Sequence, residues 1–157
     1  MAREALQDLD LADQLRGKPD AIILQNRARA RELNGLYSGA DRDYTLAISM
    51  TSNEVAPFWL RAALVKFQLG ERLGALDLLR RVEVRFPEAP EVRAAIAAFL
   101  WEKGDQEGAR RKFLEIPNQA RLKFSDTSPG GYVKSKIAWP PSMIDTITAV
   151  SKSVGDQ

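Results

Sequence analysis

The sequence predicts an all-α chain of antiparallel helix pairs, and three observations carry that prediction. Ala, Leu, Arg, Glu and Gln fill long stretches, with no clusters of strand formers between turn signals. Small and bulky residues recur at a step of 34 to 35 residues, which marks stacked supersecondary units. Glycine keeps the same step at Gly35, Gly70 and Gly104, where it closes the last turn of a helix in a left-handed conformation without steric penalty. With 157 residues, 45% of them hydrophobic, the chain can bury one core without metal or disulfide.

The repeat shows as columns. Ala5, Ala40, Ala75 and Ala109 form a small one, Leu9, Tyr44, Leu79 and Phe113 a bulky one. Ala12, Ala47, Val82 and Ile116 form another, and Ala28, Ala63 and Ala97 a second small one. Small residues in mid-helix let paired helices approach closely, and bulky ones fill the space between successive pairs.

The first unit runs from Asn26-Arg27-Ala28 through Gly35, Tyr37, Ala40, Tyr44 and Ala47. The second carries Trp59, Ala63, Gly70, Ala75, Leu79 and Pro87, the third Ala97, Gly104, Ala109 and Phe113. Over residues 1 to 117 this pattern resembles the tetratricopeptide repeat family. The resemblance implies a right-handed superhelix of antiparallel helix pairs, an α-solenoid whose first helices line a concave face. Ser52 stands where the family has a Pro, and Pro117 arrives early and shortens the third unit.

In chain order, residues 1–18 read as the second helix of an incomplete repeat, with Ala5, Leu9 and Ala12 in column. Residues 20–54 form a repeat with helices at 20–34 and 37–50, and 55–89 a second with helices at 55–69 and 72–85. Residues 90–117 form the curtailed unit, with helices at 90–103 and 106–115. Residues 118–139 read as a loop or extended tail. Within it Phe124 to Lys136 contains Ser-Asp-Thr-Ser-Pro-Gly-Gly, turn chemistry expected of a mobile surface loop or of an internal ligand folded back on the helices. Trp139-Pro140-Pro141 sets a rigid corner. In the last segment, 140–157, Ser142 and Asp145 resemble a capping box, and Met143, Ile147, Val150 and Val154 share one face. This is a helix suited to closing the exposed end of the superhelix. The Trp-Pro-Pro-Ser segment is similar to the closing segment of some tetratricopeptide proteins of cyanobacteria and chloroplasts, although Ile137 and Ala138 stand where those have basic residues.

Composition narrows the chemistry. Without Cys or His there is no thiol nucleophile, disulfide, Ser-His-Asp triad or imidazole metal site. No catalytic constellation, metal site or cofactor motif is visible, so an enzyme is not expected. No apolar run reaches the ~20 residues of a membrane span, and Met1 leads into a charged amphipathic stretch rather than a signal peptide. A soluble, cytoplasmic protein is expected from the sequence as it stands, and a plastid one if a targeting segment precedes it. The net charge of +2 and pI near 9.0 suit acidic partners without demanding nucleic acid.

Projecting the family geometry onto the first helices gives the candidate contacts. They are Gln25, Asn26, Arg29 and Glu32 from the first unit and Arg61, Leu64, Phe67 and Gln68 from the second, with Ala94, Ala98, Trp101 and Glu102 from the third. Gln25, Asn26, Arg29, Arg61, Leu64, Phe67, Ala98 and Trp101 are the partner-binding candidates. The Lys and Asn pattern of the family branch that clamps acidic chaperone tails is absent, because Gln25, Arg29, Arg61, Glu91 and Ala95 occupy those places. Arg29 and Arg61 suit bidentate binding of a carboxylate or a solvated surface. Phe67 and Trp101 read as peptide anchors or as packing, and Trp59 as core. Arg27 and Arg31, Arg80 and Arg81, and Arg110 to Lys112 mark solvated faces.

The expected function is a non-catalytic protein-interaction scaffold that holds a short peptide in a concave groove, an assembly factor in a photosynthetic organism if the closing-segment similarity holds. The alternative is RNA binding along a basic helical face. The expected oligomeric state is a monomer, or a weak homodimer through the N-terminal half-repeat.

Overall fold

The computed structural model describes residues 20–51 and 54–155. The helix expected over residues 1–18, and Ser52, lie outside the described residues. Every regular element among the described residues is helical: α1 (Ala21–Leu33), α2 (Tyr37–Met50), α3 (Phe58–Gln68), α4 (Arg72–Arg85), α5 (Pro90–Lys103), α6 (Gln106–Leu114), α7 (Asn118–Ser125), one π-helical turn (Tyr132–Lys136) and α8 (Pro141–Gly155). The chain divides into two compact units between Leu78 and Leu79.

In the first unit, Asp20 caps α1 by accepting from the N–H groups of Ile22 and Ile23 at 2.9 and 3.2 Å, which satisfies two of the donors a helix start leaves without partners. Gly35, at φ +74°, ends it. The Leu36 N–H donates to the Arg31 carbonyl at 2.8 Å and the Gly35 N–H to the Glu32 carbonyl at 3.0 Å, the paired bonds of a Schellman turn. The same pair recurs at Gly70, with Glu71 to Lys66 and Gly70 to Phe67, and at Gly104, with Asp105 to Leu100 and Gly104 to Trp101. The glycine period therefore marks a repeated hairpin corner. α1 packs on α2 and α2 on α3, with Ala28, Ala40, Ala47, Ala62 and Ala63 wholly buried. α3 starts at Phe58 instead of residue 55, in keeping with the bias of a residue that precedes proline away from the α region.

In the second unit α5 packs on α6, and α8 packs on α5, α6 and α7. α5 is buried almost all round, from Val92 through Phe99 apart from Arg93, as a helix covered on several sides must be. α8 presents Met143, Ile147 and Val150, each fully buried, at i, i+4 and i+7. Each contributes about 1.5–3 kcal/mol of burial. Val154, expected on that face, is half-buried. The helix begins at Pro141, with the Met143 and Ile144 N–H groups donating to the Pro140 carbonyl, so Ser142 lies inside the first turn instead of capping it.

The segment 118–139, expected as loop, is partly helical. Pro117 closes the preceding segment and also precedes a new helix, since the first N–H groups of a helix need no intrahelical partner. Arg121 ties α7 back to α6, donating to the Leu114 and Ile116 carbonyls and to Asn118 Oδ1, each at 3.2 Å. The turn that follows is anchored by bonds and by burial. The Ser128 hydroxyl donates to Asp126 Oδ1 at 2.6 Å and that of Ser135 to the Pro129 carbonyl at 2.6 Å, while Phe124, Val133 and Trp139 are buried. A Cβ on Gly131 would stand 2.7 Å from the Asp126 carbonyl, so only glycine fits there. Ala138 adopts φ +46°, a strained conformation for a residue with a Cβ, and delivers Trp139 to its buried seat.

Candidate functional site

The first unit concentrates its charged groups on α1 and the helices packed against it. Glu32 falls in line with Leu24 and Ala28, eight and four residues earlier, and all three are buried. A carboxylate carried into that column requires partners, and the fold supplies them. Arg29 Nη1 reaches Glu32 Oε2 at 2.5 Å, Arg61 on α3 donates to both carboxylate oxygens, and the Tyr44 hydroxyl donates to Oε1 at 3.1 Å. Burial, with the Glu32 charge adding to it, drives the Tyr44 hydroxyl far above its usual range and raises that of Tyr37 as well. Both stay protonated, and Tyr44 remains a donor.

A second buried carboxylate lies beside the first. Asp43 accepts from Arg27 in a two-pronged geometry, Nε to Oδ2 and Nη2 to Oδ1 both at 3.0 Å, and from Arg31 Nη1 at 2.6 Å. Gly39 makes room for this, since a Cβ there would come within 3.1 Å of Arg31 Cδ. Lys66 of α3 pairs with Asp41 at 2.9 Å and with Glu71 at 3.4 Å. Burial pulls its ammonium down, but the bonds to Asp41 and Glu71 outweigh that and leave it above the ordinary lysine value.

The consequence for surface charge follows from exposure. Glu32 and Asp43 are withdrawn, at 4% and 5% exposed, while the Arg29 side chain keeps 34% of its surface and that of Arg31 23%. Arg29 and Arg31 are thus partly exposed, while the two carboxylates they bind are buried. Asn26 is exposed and Gln25 half-buried, and with Ile22 at 63% and Leu33 at 51% exposed the outer row of α1 mixes polar, basic and apolar side chains.

The structure brings Arg29 and Arg61 together on one internal carboxylate, that of Glu32, a residue expected on the exposed first-helix face and buried instead. Leu64 and Phe67 are fully buried, as is Ala98 in the second unit, so all three are packing residues and cannot line an open face. α3 explains the first two. Trp59, Leu60, Ala62, Ala63, Leu64, Val65 and Phe67 leave it no apolar side in water, and the Arg72 guanidinium covers the Phe67 ring at 3.8 Å. Trp101 is half-buried and Glu102 exposed.

In the second unit aromatic contacts gather around the tail among the described residues. Trp139 Nε1 donates to Glu91 Oε1 at 3.0 Å, and Phe124 meets the rings of Tyr132 and Trp139 at centroid distances of 5.4 and 5.9 Å. Trp139 is 3% exposed, which makes it an anchor for the tail. Among the described residues no cluster of acidic side chains is placed to hold a metal, and no helix is long and apolar enough to cross a membrane. No family model matches the chain, and no curated protein or solved structure matches it.

Proposed function

We propose that the chain is a tetratricopeptide-like interaction scaffold that binds an extended or helical segment of a partner protein on the outer row of α1, with Gln25, Asn26 and Arg29 in contact and Arg61 in support. The observation that carries this reading is the way the row is held. Arg29 is fixed from beneath by Glu32, itself bound by Arg61 and Tyr44, so polar contact groups stand on packed helices and lose little freedom on binding. The hairpin corners at Gly35, Gly70 and Gly104 and the all-helical described chain support the family resemblance. Trp101, half-exposed, is a contact candidate within the second unit. A scaffold of this kind binds and positions, and performs no chemical step.

Selection from a random peptide display library tests the reading. Enriched peptides are expected, and their binding should be lost when Asn26→Asp and Arg29→Glu are introduced together into a chain that keeps its helical circular dichroism. No enrichment, or peptides indifferent to both changes, would remove the α1 row as the binding surface. Affinity for single-stranded RNA with a steep salt dependence, in place of peptide binding, would replace the scaffold reading.

A further inference from the structure

We propose that Asn34 and Gly35, at the corner between α1 and α2, form a site of spontaneous deamidation that the fold holds shut, and that its product weakens the corner in which it forms. Of the three glycine corners only this one places an asparagine before the glycine, since Leu69 precedes Gly70 and Lys103 precedes Gly104. The chemistry needs this pair and water. The Gly35 amide nitrogen, once its proton has gone to solvent, attacks the carbonyl carbon of the Asn34 side chain. The new C–N bond closes a five-membered imide as the bond to Nδ2 breaks, and that nitrogen leaves as ammonia. Water then opens the imide at either carbonyl, giving aspartate or isoaspartate, in which the main chain runs through the former side-chain carbon.

Access does not prevent this reaction. Asn34 and Gly35 are exposed, and a Cβ on Gly35 would meet nothing within 4 Å, so water and base reach the pair. Hydrogen bonding prevents it. The attacking N–H donates to the Glu32 carbonyl at 3.0 Å, and the next one, of Leu36, to the Arg31 carbonyl at 2.8 Å. The Asn34 side chain is turned back along α1, its Nδ2 donating to the Ala30 carbonyl at 2.8 Å. Nucleophile and electrophile are thus engaged with separate carbonyls of the last helical turn, and ring closure needs both released and brought into line. Release amounts to opening the Schellman turn, a local event of the kind that also governs amide exchange.

The product cannot restore these bonds. An aspartate has no donor for the Ala30 carbonyl, and it places a negative charge at the C-terminal end of α1, where the helix dipole disfavours it. Isoaspartate lengthens the main chain by one carbon, which moves the Gly35 and Leu36 N–H groups out of register with the Glu32 and Arg31 carbonyls. Deamidation is therefore an irreversible record of corner opening, in the helix pair that carries the buried Glu32 and Asp43.

The full chain, aged at neutral pH both folded and in urea, supplies the test. The tryptic peptide from Glu32 to Arg42, in which Asn34 is the sole asparagine, reports conversion by its change in mass. Conversion is expected in urea, and at least about tenfold slower conversion in the folded chain, with a slowing no smaller than the protection of the Gly35 amide against exchange. Asn34→Asp, which stands for one product, is expected to lower the urea midpoint and speed exchange at Gly35 and Leu36. Should it not fold, Asn34→Ala carries that arm with the same reading, because it loses the same bond to Ala30 without adding charge. No conversion in urea would overturn the site. Equal rates in the two states, or a folded rate faster than the Gly35 protection allows, would overturn the lock. A product variant as stable as wild type would overturn the weakening of the corner.

Discussion

The two units of this chain solve the same packing problem with different materials. In the first, helices joined by a Schellman corner are held together by alanine columns and by two buried carboxylates, each shared by two arginines. In the second, the closing elements meet through Phe113, Phe124, Val133, Trp139, Met143 and Ile147, with one indole-to-carboxylate bond at the seam. An apolar seam tolerates changes of shape within limits. A buried ionic one is intolerant of losing a single partner, because the charges left behind are desolvated without compensation. The first unit is thus the place where small chemical changes have directional effects.

Truncating the apolar seam and the ionic seam should produce the two largest effects. Trp139→Ala is expected to cost about 3–5 kcal/mol, and Glu32→Ala a similar ~3–5 kcal/mol, both read from urea unfolding. Hydrogen exchange then sharpens the contrast. Trp139→Ala should raise exchange first in α7 and α8, and Glu32→Ala first in α1 and α2. Exchange that rises equally throughout in both variants would dissolve the distinction between the units.

Gly131→Ala comes next, at about 1–3 kcal/mol for forcing a methyl against backbone. It acts through the Asp126 carbonyl, 2.7 Å from the added carbon, so its effect should be confined to the second unit. Unchanged stability would mean that the 126–139 turn shifts freely.

The alkaline limb separates the units by titration. Tyr44 is held protonated in the fold by burial and by Glu32, and in the unfolded chain it ionises near its ordinary 10.0. A group whose folded pKa is raised stabilises the fold fully below the unfolded value, and that stability is lost as pH climbs beyond it. Wild-type stability should therefore decline above pH 10.0. Tyr44→Phe should start lower at neutral pH, having lost a hydrogen bond to a charged acceptor worth about 1.5–3 kcal/mol, and decline less steeply. Parallel declines would show that Tyr44 does not control the limb, leaving it to Lys66, Lys112, Tyr37 and Tyr132, whose values are also raised. The smallest effect is reserved for a surface pair. Glu107→Gln removes the exposed partner of Arg111 at 3.5 Å and should move stability by less than about 0.5 kcal/mol.

Much of the fold can be read from the sequence where local chemistry decides it. α2, α4 and α5 match the expected 37–50, 72–85 and 90–103, and the expected left-handed closures appear at all three glycines. α7 is not legible in the sequence because Pro117 signals a stop as readily as a start, nor is the anchored turn, because Asp126 to Gly131 is turn chemistry whose fixing comes from distant burial of Val133 and Trp139. The site is less legible. Leu64, Phe67 and Ala98 were assigned to an open face by analogy with the family, while α3 and α5 are apolar on nearly every side, a signal present in Phe58 to Phe67 and Val92 to Phe99 themselves. Glu32 carried a signal too. It continues the apolar Leu24 and Ala28 column, as Asp43 lies between Ala40 and Ala47, and a carboxylate at core spacing calls for a buried countercharge. Which arginines answer it depends on tertiary contacts between α1, α2 and α3, beyond the reach of spacing within one helix.

The most direct measurement of the proposed recognition surface is a titration of the ¹⁵N-labelled chain with a peptide enriched by display selection, followed through backbone amides and the arginine Nε–H signals. The expected result is saturable shifts centred on α1, led by Asn26, Arg29 and the Arg29 Nε–H, with residues 118–155 unmoved. Shifts centred on residues 118–155, or none at saturating peptide, would contradict it.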